Sequence, residues 1–265
     1  MRLCSIASGS SGNCIYVGSE ATHLLVDVGI SGKKAEAGLN SLGLTGRDLD
    51  GILVTHEHMD HVAGLGVMAR KYDVPIYATP GTLEEIQKMG NLGKIDPELF
   101  REVKEDVKLT IKDLTVNPMK ISHDAQPVGY RIAYGNKKVG ICTDLGVYND
   151  YTVECLKGMD ALLVEANHDV KMLQVGPYPY YLKQRILGER GHLSNENSGK
   201  LLCRILHDKL QAIVLGHLSK ENNLPELAYE AVHMEITMGE NPYRAEDFRM
   251  MVADRSNVSP VINIA

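Results

Sequence analysis

The stretch that decides the reading is His56-Glu57-His58-Met59-Asp60-His61. Before it runs Gly51-Ile52-Leu53-Val54-Thr55, short, apolar and β-branched, which is the pattern of a parallel strand buried on both faces. After it, Val62 through Arg70 reads as the start of a helix. Three histidines and two carboxylates therefore share one strand-to-helix loop, at the strand end where open α/β sheets place their sites. Neutral imidazole and carboxylate are ligands for zinc, manganese and iron. Three histidines plus Asp60 within six residues exceed what one four-coordinate ion takes from one loop. Their spacing also points them to different sides of the turn, so two adjacent ions are expected. The motif is not His-Glu-x-x-His, where helical i, i+4 geometry aims both histidines at a single zinc. A lone histidine before a helix is commonly a cap; three in this position are not accounted for by capping.

The 265 residues are 44% hydrophobic, ample for a core. With no Trp and two Phe, that core must be mainly aliphatic, with Tyr and Met. A net charge of −6 gives no global sign of a nucleic-acid or membrane partner. The five cysteines (Cys4, Cys14, Cys142, Cys155 and Cys203) are scattered, without a C-x-x-C, and read as reduced residues of a cytosolic protein. The N-terminus lacks the apolar run of a signal peptide, and no window approaches 18 apolar residues, so the cytoplasm is the expected location.

Taken in order, Leu3–Ala7, Cys14–Val17 and His23–Val26 read as strands. The turn Ser8-Gly9-Ser10-Ser11-Gly12-Asn13 can present N–H groups to an anion, with Ser10 and Asn13 as candidate substrate contacts, or serve as a plain connection. Asp27 closes the third strand; a buried acid there needs partners, and support of the His-rich loop is favoured over direct metal binding. Lys33–Leu42 and Thr79–Met89 read as helices, Pro75–Ala78 as a strand and Asn91–Asp106 as loop. The run Leu114–Ser122 ends in His123, which beside an incomplete metal loop is the leading next ligand. Val128–Tyr134 and Lys137–Cys142 form a hairpin across Gly135-Asn136, and the second strand ends in Asp144, either a bridging carboxylate or a cap for the helix near Asn149–Lys157. Asp160–Val164 runs into Glu165-Ala166-Asn167-His168, with His168 either near substrate or a loop residue. Tyr178–Leu187 reads as a helix, and Ser194 as the N-cap of another through His207. Gln211–Leu215 leads to His217 and Lys220, and one helix (Leu224–Met238) and two strands (Phe248–Val252, Val261–Ile264) follow. His23, His207 and His233, within a strand and two helices, are assigned to structure.

In this order Asp27, His56-x-His58-x-Asp60-His61, His123, Asp144 and His217 resemble the metallo-β-lactamase-fold hydrolase superfamily, over nearly the whole chain. The resemblance implies an α/β fold, a four-layer αββα sandwich over residues 1–265 as one domain, with two metals at one edge of the sheets. It implies that His56, His58 and His123 hold the first ion, that Asp60, His61 and His217 hold the second, that Asp144 bridges, and that Asp27 orders the loop. The cofactors expected are two divalent ions, Zn or Mn, with Fe also accepted.

The second half narrows the chemistry. Glu165-Ala166-Asn167, Gly191-His192-Leu193-Ser194 and His217-Leu218-Ser219 look like the phosphodiesterase branches, where RNase Z-like enzymes carry a Glu–His pair near the leaving group. Asn167 and Leu193 depart from that pattern, and the long exosite arm is not evident. Ala7 to Cys14 together with His217 to Asn223 is similar to the small bacterial YycJ/WalJ group, associated with 5′-to-3′ exonuclease activity on DNA. Only 73 positions separate Asp144 from His217, which leaves no room for a β-CASP insertion. The expected mechanism is two-metal phosphodiester hydrolysis, in which a hydroxide between the ions attacks phosphorus. Asp60 and the Glu165-oriented general acid His192 complete the catalytic set. Lys220 joins Ser10, Asn13 and His168 as a candidate substrate contact. Between Val170 and Lys220 eight Lys and Arg face three acids, a local basic segment suited to a nucleic-acid partner, DNA ahead of RNA. Tyr178, Tyr180 and Tyr181 would stack bases or pack over the sheet edge. The alternatives are a small-molecule hydrolase of the same fold (cyclic-nucleotide phosphodiesterase, thioesterase or lactamase) and a metal-stabilised binding protein without turnover.

Overall fold

The computed structural model describes residues 1–124 and 126–265. Its first half runs β1 (Arg2–Ala7), β2 (Cys14–Gly18), β3 (His23–Val26), α1 (Gly32–Ser41), β4 (Gly51–Leu53), α2 (Met59–Val62), α3 (Leu65–Tyr72), β5 (Ile76–Ala78), α4 (Pro80–Lys88) and β6 (Phe100–Glu102). The second half begins with β7 (Leu109–Ile111), β8 (Leu114–Lys120), β9 (Val128–Tyr134), β10 (Lys137–Cys142), α5 (Asp150–Leu156) and β11 (Ala161–Glu165). It continues with α6 (Val170–Val175), α7 (Tyr180–Leu187), α8 (Asn195–Cys203), β12 (Ala212–Gly216), α9 (Pro225–Met238), β13 (Arg249–Val252) and β14 (Ile262–Asn263). Two seven-stranded mixed sheets result, in the orders β14-β1-β2-β3-β4-β5-β6 and β13-β12-β11-β10-β9-β8-β7.

The strands alternate because a pleat sends successive side chains to opposite faces. Ile15 and Val17 of β2, with Leu24 and Val26 of β3, meet Tyr130, Ile132, Ile141, Leu163 and Val214 of the other sheet in the central core. Cys14, Tyr16 and Leu25 point the other way, onto Ala35, Leu39, Leu65 and Met68 of α1 and α3. On the second sheet Leu162, Val164, Ile213 and Leu215 pack outward against α5, α8 and α9 through Leu156, Leu202, Val232 and Ile236. Three apolar interfaces between four layers make an αββα sandwich; each fully buried aliphatic side chain contributes roughly 1.5–3 kcal/mol.

The sheets also join by hydrogen bonds behind the His-rich loop. The Tyr130 hydroxyl donates to the Val54 carbonyl at 2.8 Å, and Val128 N–H to that of Thr55 at 3.1 Å. Strands β3, β4 and β5 are parallel, as are β10, β11, β12 and β13. Strand β8 is antiparallel to β9, itself antiparallel to β10, so β8 runs with β10. The carboxyl ends of β3, β4, β8, β10, β11 and β12 therefore face one edge of the sandwich.

Some local expectations need correction. The span Asn91–Asp106 is not all loop: Phe100–Glu102 adds an edge strand, mostly exposed and hence without an apolar signature. The helix after the His-rich loop is broken at Ala63-Gly64 into α2 and α3. Helix α8 ends at Cys203, so His207 lies beyond it, its Nε2 facing the Met159 carbonyl at 3.0 Å. Helix α6 follows an Asp169 cap that the sequence reading did not register. Asn149, not Asp144, caps α5.

Candidate active site

The loop from His56 to His61 is held from behind. Asp27 Oδ1 accepts the Thr55 N–H at 2.8 Å, and its Oδ2 accepts the Thr55 hydroxyl at 2.9 Å and His61 Nδ1–H at 2.7 Å. Val28 N–H reaches the His61 carbonyl at 2.8 Å, and Asn13 N–H the Asp60 carbonyl at 2.8 Å. Gly29 is required here: a Cβ on it would stand 1.7 Å from the Asp60 carbonyl oxygen. Burial raises the pKa of Asp27, outweighing the opposing pull of His61 and Thr55. Its geometry is that of a support behind the loop.

Two donor clusters stand in front of it. Ligating atoms of His56, His58 and His123 lie within 4.8 Å of one another, and so do those of Asp60, His61 and His217. His56 Nε2 and His58 Nδ1 are 2.9 Å apart, close to the roughly 3.3 Å between two nitrogens on one tetrahedral zinc. His123 Nδ1 faces the Gly191 carbonyl at 3.0 Å, so it carries the proton and leaves the Nε2 lone pair to the cluster. Asp144 lies between the clusters. Its Oδ2 is 3.1 Å from His61 Nε2, and its Oδ1 is 3.3 Å from His217 Nε2 and 3.7 Å from His123 Nε2.

The donor set fits divalent cations. His61 gives its Nδ1 proton to Asp27, so in the neutral ring Nε2 presents a lone pair to the Asp144 oxygen, also an acceptor. Buried lone pairs at 3.1 Å repel unless a cation or a second proton joins them. The buried acids favour positive charge here. Burial pulls the His61 pKa down, yet Asp144, Asp27 and Asp60 outweigh it and hold it well above the ordinary value. Burial would raise Asp144, yet His217, His61 and His56 keep it well below the carboxylate range. Burial and His61 push His56 far down, and burial and His123 lower His58, leaving neutral imidazoles with free lone pairs. Two donors and their support are also placed at backbone cost: Asp144, His217 and Asp27 have φ of 58°, 55° and 62°. That left-handed region costs roughly 1–2 kcal/mol for a non-glycine residue.

Beside Asp144, Glu165 is fully buried at the end of β11. Its Oε2 accepts the N–H groups of Leu145 and Leu193 at 2.7 and 3.2 Å, and its Oε1 meets His192 Nδ1 at 2.7 Å. With its oxygens committed, Glu165 orients His192 rather than serving a metal, although the two also group with Asp144 and His217. Burial lowers the His192 pKa, but Glu165, Asp144 and Asp60 overcome it and raise it to about 9.

These groups open into a cleft of ≈ 210 Å³, walled by Ser10, His58, Asp60, His192 and His217 on one side and by Tyr178, Leu182, Arg185, Ile186 and Arg190 of the α7 segment on the other. Arg185 Nε pairs with Asp124 Oδ2 at 2.8 Å, tying α7 to the loop that carries His123. Ser10 thus reaches the cleft. Asn13 does not: it is buried, accepting from Ser8 Oγ and Gly9 N–H and donating to the Gly9 and Asp60 carbonyls, so it shapes the turn. His168 is 1% exposed, and burial lowers its pKa to about 4; it packs inside rather than meeting substrate. Lys220 is exposed on the loop after β12 and is not among the cleft walls. Sequence reasoning missed Thr55 as the partner of Asp27. It counted Arg185 and Arg190 only within a basic segment and left Tyr178 open between stacking and packing, since charge density does not show which side chains reach a cleft.

Comparison with known proteins agrees with this architecture. A family model described as a β-lactamase superfamily domain matches residues 22–217. The chain is 43% identical over 229 residues to the exodeoxyribonuclease YycJ of Bacillus anthracis, covering 86% of each chain. It is 42% identical over 225 residues to the exodeoxyribonuclease WalJ of Streptococcus pneumoniae, covering 84% of each. The crystal structure of the metallo-β-lactamase fold protein YhfI from Bacillus subtilis superposes with a TM-score of 0.71 at 18% identity, over 97% of this chain and 98% of that one. The chain belongs to the β-lactamase superfamily as a metal-dependent hydrolase of the metallo-β-lactamase fold, on the branch shared with YycJ and WalJ.

Proposed function

We propose that this protein is a dinuclear phosphodiesterase acting on nucleic acid, specifically a 5′-to-3′ exonuclease of DNA. The observation that carries the reading is the 2.7 Å contact between Glu165 Oε1 and His192 Nδ1 beside the donor clusters. His56, His58 and His123 would hold one divalent ion and Asp60, His61 and His217 another, with Asp144 shared. Cations so held supply Lewis acidity and an activated water. Glu165 fixes the His192 ring with Nδ1–H toward itself. The Glu165 carboxylate at its Nδ1 favours the protonated ring. Its Nε2–H is then available to protonate a departing sugar oxygen, the role of a general acid. Arg190 on the cleft wall offsets phosphate charge. A thiolate leaves without such a proton, so a thioesterase has no use for the pair. The names of the relatives that match over most of the chain support DNA as the polymer.

The test is incubation of metal-defined protein with end-labelled single- and double-stranded DNA and RNA, beside a small thioester and a β-lactam. Release of mononucleotides from the 5′ end of DNA is expected. If the Zn²⁺ and Mn²⁺ forms leave every nucleic acid intact, the nuclease reading fails.

A further inference from the structure

The cleft over the donor clusters has a volume of ≈ 210 Å³. A second groove of ≈ 670 Å³ opens directly beside it, and the two share His123 and Arg190 as walls. Its size falls within the range of about 300–1,000 Å³ typical of small-molecule sites. Its apolar side is Ile121, Pro127 and Val147, the last 44% exposed. Its cations are Lys120 at the end of β8 and Arg190 at the junction. Arg185 is tied to Asp124, whereas Lys120 and Arg190 have no carboxylate partner among the described residues. Gln126 adds an exposed amide, and Glu105 is the single acid on the wall.

We infer that this groove is a nucleotide subsite: it takes the nucleotide next to the scissile phosphate, with Arg190 on the phosphate at the junction and Lys120 on the following one. The inference rests on the phosphodiesterase reading above. Unpartnered cations beside an apolar wall suit a phosphorylated sugar with a planar base, whereas a small neutral ester would leave both cations without a counter-charge. Contacts of this kind act on phosphate, so the subsite governs affinity with little base preference.

Two measurements test it on the metal-loaded protein. The first is direct calorimetric binding of a deoxynucleoside 5′-monophosphate to wild type, Lys120→Ala and Arg190→Ala. Affinity is expected to drop about five- to ten-fold in each variant, and Arg190→Lys is expected to recover part of it. The second is the ratio of kcat/KM for an oligonucleotide to that for bis(p-nitrophenyl) phosphate, which has no nucleotide to fill the groove. Lys120 lines the groove only, so Lys120→Ala should lower this ratio, mainly through KM, and reduce the salt dependence of oligonucleotide cleavage by about one unit of log–log slope. A general structural defect would lower both substrates together. If oligonucleotides are cut but Lys120→Ala keeps the wild-type ratio and both variants keep the wild-type nucleotide affinity, the subsite is wrong while the hydrolase reading stands. If no nucleic acid is cut with either metal, the nuclease reading falls and takes the subsite with it.

Discussion

At the scale of single residues, histidines with the same side chain are set to different tasks by what faces them. His58 stands with His56 and His123 around one prospective ion, whereas His192 has its Nδ1 committed to Glu165. His58→Ala is therefore expected to lose bound metal, measured by elemental analysis of the purified protein. His192→Ala should retain its metal while cleavage falls by about 10²–10⁴; normal turnover by that variant would remove it as the general acid. His168 offers a separate test through stability. Its burial depresses the pKa to about 4, so below pH 6.5 the unfolded chain takes up a proton that the folded chain refuses. Stability then rises with pH across the window from about 4 to 6.5, is unaffected by this group above it, and differs across the window by on the order of 3 kcal/mol. Urea titrations of wild type and His168→Asn at pH 7.5 and 5 should show a smaller acid loss in the variant. Equal losses would mean that His168 is not buried neutral.

At the scale of elements, the site is a set of strand ends held in register by backbone contacts, and this determines what could be read from the sequence. The hairpin of β9 and β10 was legible to the residue, because alternation and Gly135-Asn136 are local signals. The His56–His61 loop was legible for the same reason. Strand β6 was not: Phe100–Glu102 is a short edge strand whose order comes from pairing with β5, not from its own composition. The end of α8 was misplaced because an amphipathic pattern continues past Cys203 while the chain turns. Asn13 shows the same limit, since a polar turn reads alike whether its amide faces solvent or Asp60. His123 and Asp144 were candidates from their strand ends, whereas His217 entered through resemblance alone, since convergence of the three on one loop is not in any local pattern. The contact between Gly29 and the Asp60 carbonyl is likewise invisible in one dimension. A methyl group at that position cannot fit, so Gly29→Ala must displace the loop after β3 or the metal loop. We expect a stability loss of about 1–3 kcal/mol with a parallel fall in metal affinity. Unchanged melting and metal content would show that the two loops are not coupled there.

At the scale of the whole molecule, the donors come from both halves of the sandwich. His56, His58, Asp60 and His61 follow β4 of one sheet, while His123, Asp144 and His217 follow β8, β10 and β12 of the other. Cations shared by these groups would link the sheets at the edge where the apolar core ends and buried acids crowd together. Chelation should then cost stability as well as activity. A ligand that binds only the folded state adds about 2.7 kcal/mol at a free concentration 100 times its Kd, and about 4 kcal/mol at 1,000 times. For a chain of this length each kcal/mol moves Tm by about 2–4 °C, so removal of tightly held metal should lower Tm by roughly 5–15 °C. His217→Ala deletes a donor from the second sheet only, and should lose part of that interval before any chelator is added. The check is a pair of thermal scans of each protein, with and without chelator, followed by return of Zn²⁺ or Mn²⁺. Recovery of the higher Tm on metal return is expected for wild type. If chelated and metal-loaded wild type melt together while metal analysis shows that the ions have left, cation binding does not link the two sheets.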